Sequence, residues 1–427
     1  MSSTEAWRVL TTRLPPLDRD SAFWWYTTGT TVANMLHQAG YDQHAQYNSL
    51  IFYYYFIISR LGSRPTTYGK SQGFESYTTD DFSPIEYSWS WAGLNKSPKI
   101  RFAIEAIGPE SGTSADPFNQ NMSMELINHL RSTLPGIDLQ LFHHFWNTLL
   151  VTTNDAETTK RINTIAEPNS HRSSLFIACE LGGSEMLVKV YFMPMLRALQ
   201  TGQSRIETFQ QSMHQLTQTI TPFPALQPLF TYLTTSPLGA QLELEMISVD
   251  CIDPSKSRIK VYFRSPQTSF DAIRAILSLD GLIPISSVTW TDLQAIYRLV
   301  FGLPDSFQAA QELPPCRHST AGMFFCFFAR AGDALLTPKL SLPAKHYGKD
   351  DRSVALGLAT FMGERGRGQW VGGYLNVLEG MSAHRKLGEG LGLHTYVACQ
   401  VDEGGLRVTS YLGPEIYDRR RWGQGRE

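Results

Sequence analysis

Two short stretches set a cation and a tyrosine side by side on an extended chain. Lys189-Val190-Tyr191 and Arg258-Ile259-Lys260-Val261-Tyr262 both alternate polar with apolar residues. In a strand, residues two apart share a face, so Lys189 lies beside Tyr191, and Arg258 and Lys260 lie in line with Tyr262. A lysine ammonium is a point charge for phosphate oxygens, and an arginine guanidinium grips them with two prongs. A tyrosine ring attracts a carbocation without attacking it, worth on the order of 2 kcal/mol or more when desolvated. Together they offer both halves of an allylic diphosphate site: donors for the diphosphate and a shield for the cation it leaves behind. One Lys-x-Tyr pair is ordinary on an exposed strand, where lysine aids solubility and tyrosine has β propensity. Its recurrence on several strands carries the argument.

The elements that must position these residues follow the same period. Residues 99–107, 187–192, 258–264, 339–342 and the pair 394–399 and 406–412 alternate polar with apolar side chains and predict strands. Between them, apolar spacing predicts helices over 21–38, 121–132, 139–151 and 269–279, with Asp116-Pro117 and Asp305-Ser306 as helix starts. A Ser/Thr/Asn-rich patch at 152–174 and a Pro-rich patch at 222–237 predict loops. Cations beside aromatics on several strands make sense if those faces line one interior, as in a closed barrel with an inward polar lining.

Bulk properties narrow the classes. The chain has 427 residues, is 42% hydrophobic and 18% charged, and carries a formal net charge of -2, so no global electrostatic case exists for a nucleic-acid or membrane partner. Residues 1–16 do not read as a secretory signal. The most apolar run, 50–58, is far short of the roughly 20 residues of a membrane helix. Cys179, Cys251, Cys316, Cys326 and Cys399 are scattered, odd in number and form no CxxC, which predicts reduced thiols and a cytoplasmic protein. Familiar catalytic motifs fail. Gly69-Lys70-Ser71 has Arg64 where a phosphate loop needs glycine, and 388–392 follows no predicted strand. There is no HExxH, GxSxG or DDxxD; His143-His144 reads as scaffold, and Asp80-Asp81 and Asp350-Asp351 as turns or helix starts. Without an acidic motif, magnesium-bridged diphosphate binding lacks its usual ligands, so the cations must do that work and no metal cofactor is expected.

An ordered set of strings then resembles the fungal indole prenyltransferases of the dimethylallyl tryptophan synthase type over nearly the whole chain. It runs from Phe23-Trp24-Trp25-Tyr26-Thr27-Thr28-Gly29 and Leu50-Ile51-Phe52-Tyr53-Tyr54 to Ser83-Pro84-Ile85-Glu86-Tyr87-Ser88-Trp89 and Arg101-Phe102. It continues through Lys189-Val190-Tyr191, Asp250–Pro254 and Arg258–Tyr262 to His346-Tyr347-Gly348, Thr395-Tyr396 and Tyr411-Leu412. The resemblance implies an α+β fold, the αββα prenyltransferase barrel: ten antiparallel strands inside a ring of helices, with residues 1–427 as one domain. It implies that dimethylallyl diphosphate and an indole are the substrates, that no metal is required, and that the enzyme is a monomer or homodimer. Carried over by position, Glu86 takes a hydrogen bond from the indole N–H. Arg101, Lys189, Arg258 and Lys260 match the diphosphate clamp, with Lys339 as a further phosphate ligand. Tyr191, Tyr262, Tyr396 and Tyr411 match the shield.

Departures refine the expectation. Ser341 stands where the family often has tyrosine, which predicts a more open prenyl pocket. Members acting at C4 of free tryptophan carry a lysine before the second Lys-x-Tyr strand; residues 175–188 contain none, with Glu180 and Glu185 the nearby bases. Residues 241–250 offer Glu243 and Glu245 where such enzymes hold the amino-acid carboxylate with arginine, so a carboxylate would be repelled. A neutral acceptor follows, such as a tryptophan-containing cyclic dipeptide or a derived indole alkaloid, with free tryptophan or a phenol as the alternative. Two other classes share basic and aromatic strands: a single-strand nucleic-acid binder, disfavoured by the net charge, and a non-catalytic carrier, which would not need the cations.

Overall fold

The computed structural model describes residues 4–91, 93, 96–152, 156–165, 171–182, 185–218, 222–402 and 405–423. Ten strands close into one antiparallel barrel: β1 Ile85–Ser90, β2 Lys99–Ile104, β3 Leu175–Gly182, β4 Glu185–Phe192, β5 Glu243–Asp250, β6 Arg258–Ser265, β7 Met323–Arg330, β8 Thr337–Leu342, β9 His394–Asp402 and β10 Gly405–Leu412. Each strand pairs with its neighbours in the chain, and the ring closes where β1 meets β10, with Tyr87 opposite Leu412 and Ser90 opposite Thr409.

Alternation sorts the side chains into an inside and an outside. On β1, Ile85, Tyr87 and Trp89 point to the surrounding helices and are essentially fully buried, while Glu86 lines the interior. Trp89 and Trp91 pack on Tyr374 of helix Val371–Met381, at 5.8 and 4.7 Å between rings. Phe102 of β2 meets Tyr53 at 5.2 Å, and Phe192 of β4 sits between Phe142 and Phe145 of helix Gln140–Leu149. The core is therefore the layer between barrel and helices, where each buried large side chain contributes about 1.5–3 kcal/mol. A further tie joins helix to barrel: Arg385, fully buried, bridges Asp351 and Glu415. Asp351 Oδ1 also accepts from the backbone N–H of His394 on β9 at 2.8 Å.

The predicted helices form, with local adjustments. Residues 21–38 fall in a continuous stretch from Arg19, started by Asp18, whose Oδ1 accepts from the N–H groups of Asp20 and Ser21. A wide π turn, Trp25–Gly29, interrupts it. There a Cβ on residue 29 would lie 2.8 Å from the Trp25 ring, so only glycine fits. Asp116 caps helix Asn121–Thr133 by accepting from Gln120 and Asn121 N–H groups. Asp305-Ser306 starts no helix; Asp305 pairs with Arg298 at 3.2 Å in a turn. The Pro-rich patch contains helix Leu226–Thr235 rather than only loop. Pro228 falls in its first turn, where a missing N–H costs nothing. Helix Ala156–Ile165 likewise lies inside the patch at 152–174, of which 153–155 and 166–170 fall outside the described residues. No helix among the described residues is long and apolar enough to cross a membrane.

Candidate active site

The barrel interior holds two connected chambers. One, of about 310 Å³, is lined by nine cationic side chains against two carboxylates: Lys99, Arg101, Lys189, Lys256, Arg258, Lys260, Arg330, Lys339 and Arg407, with Glu180 and Asp250. The other, of about 130 Å³, is lined by Ala103, Phe176, Met246, Phe324 and Tyr396 among apolar and aromatic groups, with Glu86, Asp80, Glu245, Arg264, Lys345 and Thr320 as its polar points. Tyr191, Tyr262, Tyr411 and Lys339 border both. They form a waist between a basic chamber and a largely apolar one.

Strand register explains the waist. On β6, Arg258, Lys260, Tyr262 and Arg264 point inward in that order, running from the basic chamber through the waist into the apolar one. β4 repeats the order with Lys189 and Tyr191, whose ring lies 5.8 Å from that of Tyr262. An aromatic path continues from Tyr262 to Phe324 at 5.6 Å and from Phe324 to Tyr396 at 5.7 Å. Burial pushes the Tyr191 and Tyr262 hydroxyls well up, so both rings stay neutral and present electron-rich faces.

In the basic chamber the cations are held by counter-ions on adjacent strands. Glu180 accepts from Lys99 at 2.7 Å, Arg101 at 2.8 Å and Lys189 at 2.9 Å. Asp250 accepts from Lys260 at 2.6 Å and Arg258 at 2.7 Å. Burial alone would raise both carboxyls; Arg101 and Lys189 around the one, and Lys260 and Arg258 around the other, outweigh it and hold both well below the usual range. Burial lowers the Lys189 and Lys260 ammoniums, with Arg101 and Arg258 respectively adding to the effect against their carboxylate partners. The surplus of cations fits a multiply charged anion, and dispersed side-chain donors can hold it.

In the apolar chamber, Thr395 Oγ1 donates to Glu86 Oε1 at 2.6 Å. A carboxylate with one such bond retains capacity for another donor. Burial pushes Glu86 up to about 7, opposed by the Thr395 hydrogen bond and by Lys345. Two ion pairs share the walls: Asp80 with Lys345 at 2.6 Å, and Glu245 with Arg264 at 3.0 Å and Arg205 at 3.6 Å. Among the described residues, two clusters bring three metal-capable side chains within 4.8 Å: Asp80, His318 and His346, and His384, Glu415 and Asp418. Their carboxylates are already paired, with Lys345 in the first and with Arg385 and Arg420 in the second.

The structure brings every sequence-predicted site residue into this interior: Arg101, Lys189, Arg258, Lys260 and Lys339 in the basic chamber, Tyr191, Tyr262 and Tyr411 at the waist, Glu86 in the apolar chamber. Tyr396 lies off the waist, wholly on the Glu86 side, with Lys345 Nζ 5.1 Å above its ring. Three expectations are corrected. Glu180 is no free base, being tied to three cations; the side chain of Glu185 lies outside those described. Glu243 is exposed, and Glu245 is neutralised by Arg264 and Arg205, so the carboxylates of β5 do not make the chamber repulsive. Ser341 lines the apolar chamber across the strand pair from Phe324. Asp80 is not only a turn residue, because its side chain reaches the chamber. Arg264 was legible as the next inward step after Arg258, Lys260 and Tyr262. Asp80 and Thr320 come from connecting segments and Lys345 from the one-turn helix Ala344–Tyr347, where no period signals them.

Comparisons with known proteins agree with this arrangement. Residues 20–377 match the family described as tryptophan dimethylallyltransferase. The chain is 33% identical to 4-O-dimethylallyl-L-tyrosine synthase of Claviceps purpurea, over 92% of this chain and 87% of that protein. It is 32% identical to 7-dimethylallyltryptophan synthase of Aspergillus fumigatus, over 96% and 89%. The crystal structure of AnaPT from Neosartorya fischeri superposes with a TM-score of 0.82 at 25% identity, covering 96% of this chain and 98% of that one.

Proposed function

Because the chain belongs to the tryptophan dimethylallyltransferase family, we propose that it transfers the dimethylallyl group of dimethylallyl diphosphate to an uncharged indole, such as a tryptophan-containing cyclic dipeptide, without a metal ion. One observation carries this reading: a cation-rich chamber and a carboxylate-bearing apolar chamber meet at a waist of tyrosines. The diphosphate sits among Arg101, Lys189, Arg258, Lys260 and Lys339, which stabilise it as the C–O bond breaks. The allyl cation forms at the waist, where Tyr191, Tyr262 and Tyr411 face it and exclude water. Glu86 accepts the indole N–H and so fixes which ring carbon meets the cation, a positioning effect.

The preference for an uncharged acceptor rests on the ion pairs. Asp80–Lys345 and Glu245–Arg264 satisfy one another, so a neutral molecule enters without breaking either. A second reading, a phenolic acceptor, draws on Glu86 itself. A carboxyl at about 7 can take the proton of a phenol as well as a hydrogen bond from an N–H, and one relative is named for an O-dimethylallyl tyrosine.

The test is product mass spectrometry with EDTA present. Dimethylallyl diphosphate is offered with tryptophan-containing cyclic dipeptides, free tryptophan and tyrosine. One added prenyl group on a cyclic dipeptide alone supports the reading. Turnover of free tryptophan overturns the neutral-acceptor preference, and turnover of tyrosine alone moves the protein to the phenolic reading.

A further inference from the structure

The reaction leaves one task without an assigned residue: something must remove the proton from the ring carbon that gains the prenyl group. We infer that Asp80 is that base, and that Thr320 and His318 carry the proton from it to solvent. This rests on the prenyl-transfer reading above and applies to attack at a ring carbon bearing hydrogen.

The apolar chamber has three carboxylates among its described lining residues: Glu86, Glu245 and Asp80. Glu86 is engaged with the acceptor N–H in that reading. Glu245 is flanked by the guanidiniums of Arg264 and Arg205. Asp80 has one strong partner, Lys345, on Oδ1, while Oδ2 lies 3.9 Å from His346 Nε2. Burial would raise Asp80, but Lys345 outweighs it and holds the carboxyl below its ordinary value, so it is ionised at neutral pH. The prenylated arenium ion is a strong acid. Geometry, rather than high basicity, decides which carboxylate takes its proton.

Behind Asp80 runs a path outward. Thr320 Oγ1 lies 3.4 Å from Asp80 Oδ1 and 2.9 Å from His318 Nδ1, and His318 is exposed. In the step, the electron pair of the C–H bond returns to the ring and restores aromaticity, while the proton bonds to Asp80. Thr320 then accepts it and passes its own hydroxyl proton to His318, which releases a proton to water. His346 contacts the same hydroxyl at 2.7 Å. Burial and the neighbouring Lys345 push it down to about 4, so it stays neutral and does not hold the proton.

The test compares wild type with Asp80→Asn, using a tryptophan-containing cyclic dipeptide whose indole ring is deuterated. With Asp80→Asn, kcat is expected to fall on the order of 100-fold or more, and a primary isotope effect absent from wild type should appear. KM for dimethylallyl diphosphate should stay within about twofold of wild type, as for a group outside the basic chamber. Asp80→Glu should recover part of the rate. Thr320→Val keeps the carboxylate and breaks the relay, and should show a smaller fall with a solvent isotope effect. An Asp80→Asn enzyme with no ring isotope effect, or a product substituted at a carbon without hydrogen, would overturn the assignment. Should Asp80→Asn fail to fold, a Thr320→Val rate equal to wild type overturns the relay. Failure of wild type itself to prenylate any indole would instead sink the functional reading.

Discussion

Replacing Glu86 by glutamine separates the role of its charge from that of its shape. The side chain keeps its length and can still accept from Thr395, now 2.6 Å from Oε1. What disappears is the charge that strengthens a hydrogen bond from the acceptor N–H. A charge-assisted bond contributes about 1.5–3 kcal/mol and a neutral one about 1 kcal/mol, so kcat/KM for the acceptor should fall roughly 2- to 30-fold. KM for dimethylallyl diphosphate should not move, because Glu86 lines only the apolar chamber. In wild type, kcat/KM should rise as pH passes through about 7, where Glu86 ionises; the variant should lack that limb. Stability should move in the opposite sense. Burial raises this carboxyl from 4.5 to about 7, so its stabilising contribution is complete below pH 4.5 and lost as pH rises through about 7. Glu86→Gln should therefore match wild type at pH 4 and exceed it at pH 8, by at most about 3 kcal/mol. Steady-state kinetics across pH 5 to 9 and urea unfolding at both ends check this. A variant that keeps the pH limb, or is less stable than wild type at pH 8, would refute the account of Glu86 as a buried charge facing the acceptor.

Three further outcomes are expected. Lys260→Met leaves Asp250 with Arg258 and removes one phosphate donor; KM for dimethylallyl diphosphate should rise roughly 10- to 100-fold, with the acceptor KM nearly unchanged in the same assay. EDTA should leave turnover intact, and activity that returns only with magnesium would show that the cations do not suffice. Arg385→Met strands Asp351 and Glu415 in the protein interior; it should cost about 3–5 kcal/mol in urea unfolding, and a loss below about 1 kcal/mol would mean that the cluster is not worth what burial implies.

The parts of this molecule visible in its sequence are those where the two faces of a strand differ. β6 is legible because Arg258, Lys260, Tyr262 and Arg264 face the chambers while Ile259, Val261 and Phe263 face the helices. β7 shows no alternation, reading Met-Phe-Phe-Cys-Phe-Phe-Ala: its inward Phe324, Cys326 and Phe328 are as apolar as its outward Phe325 and Phe327. The strand was hidden because its own lining side chains are apolar, including Cys326 and Phe328, which face the basic chamber. Helix Leu226–Thr235 was hidden because proline counts against a helix unless its position in the first turn is known. The counter-ions escaped for a different reason. Glu180 acquires its meaning from lying opposite Arg101 across a strand pair, and Asp250 from lying opposite Lys189. Pairing partners 79 and 61 positions apart in the chain are not written in any local pattern.

The seam between β1 and β10 has a consequence for how the chain comes to be folded. Residues 87–90 find their partners at 409–412, so the last sheet contact joins segments separated by three quarters of the polypeptide. During synthesis, the β1 edge must wait with its N–H and C=O groups unpaired until nearly all of the chain has been made. Contacts so distant in sequence are slow to form. The apolar outer face of the growing sheet would meanwhile attract other chains. Ile85, Tyr87 and Trp89, packed against helices in the finished barrel, are the side chains most open to that hazard. A chain truncated before residue 405 would lose β10 and expose two complementary edges, a ready template for joining one copy to the next. The same closure that encloses the reaction chamber thus makes the completed molecule edge-free and the incomplete one prone to association.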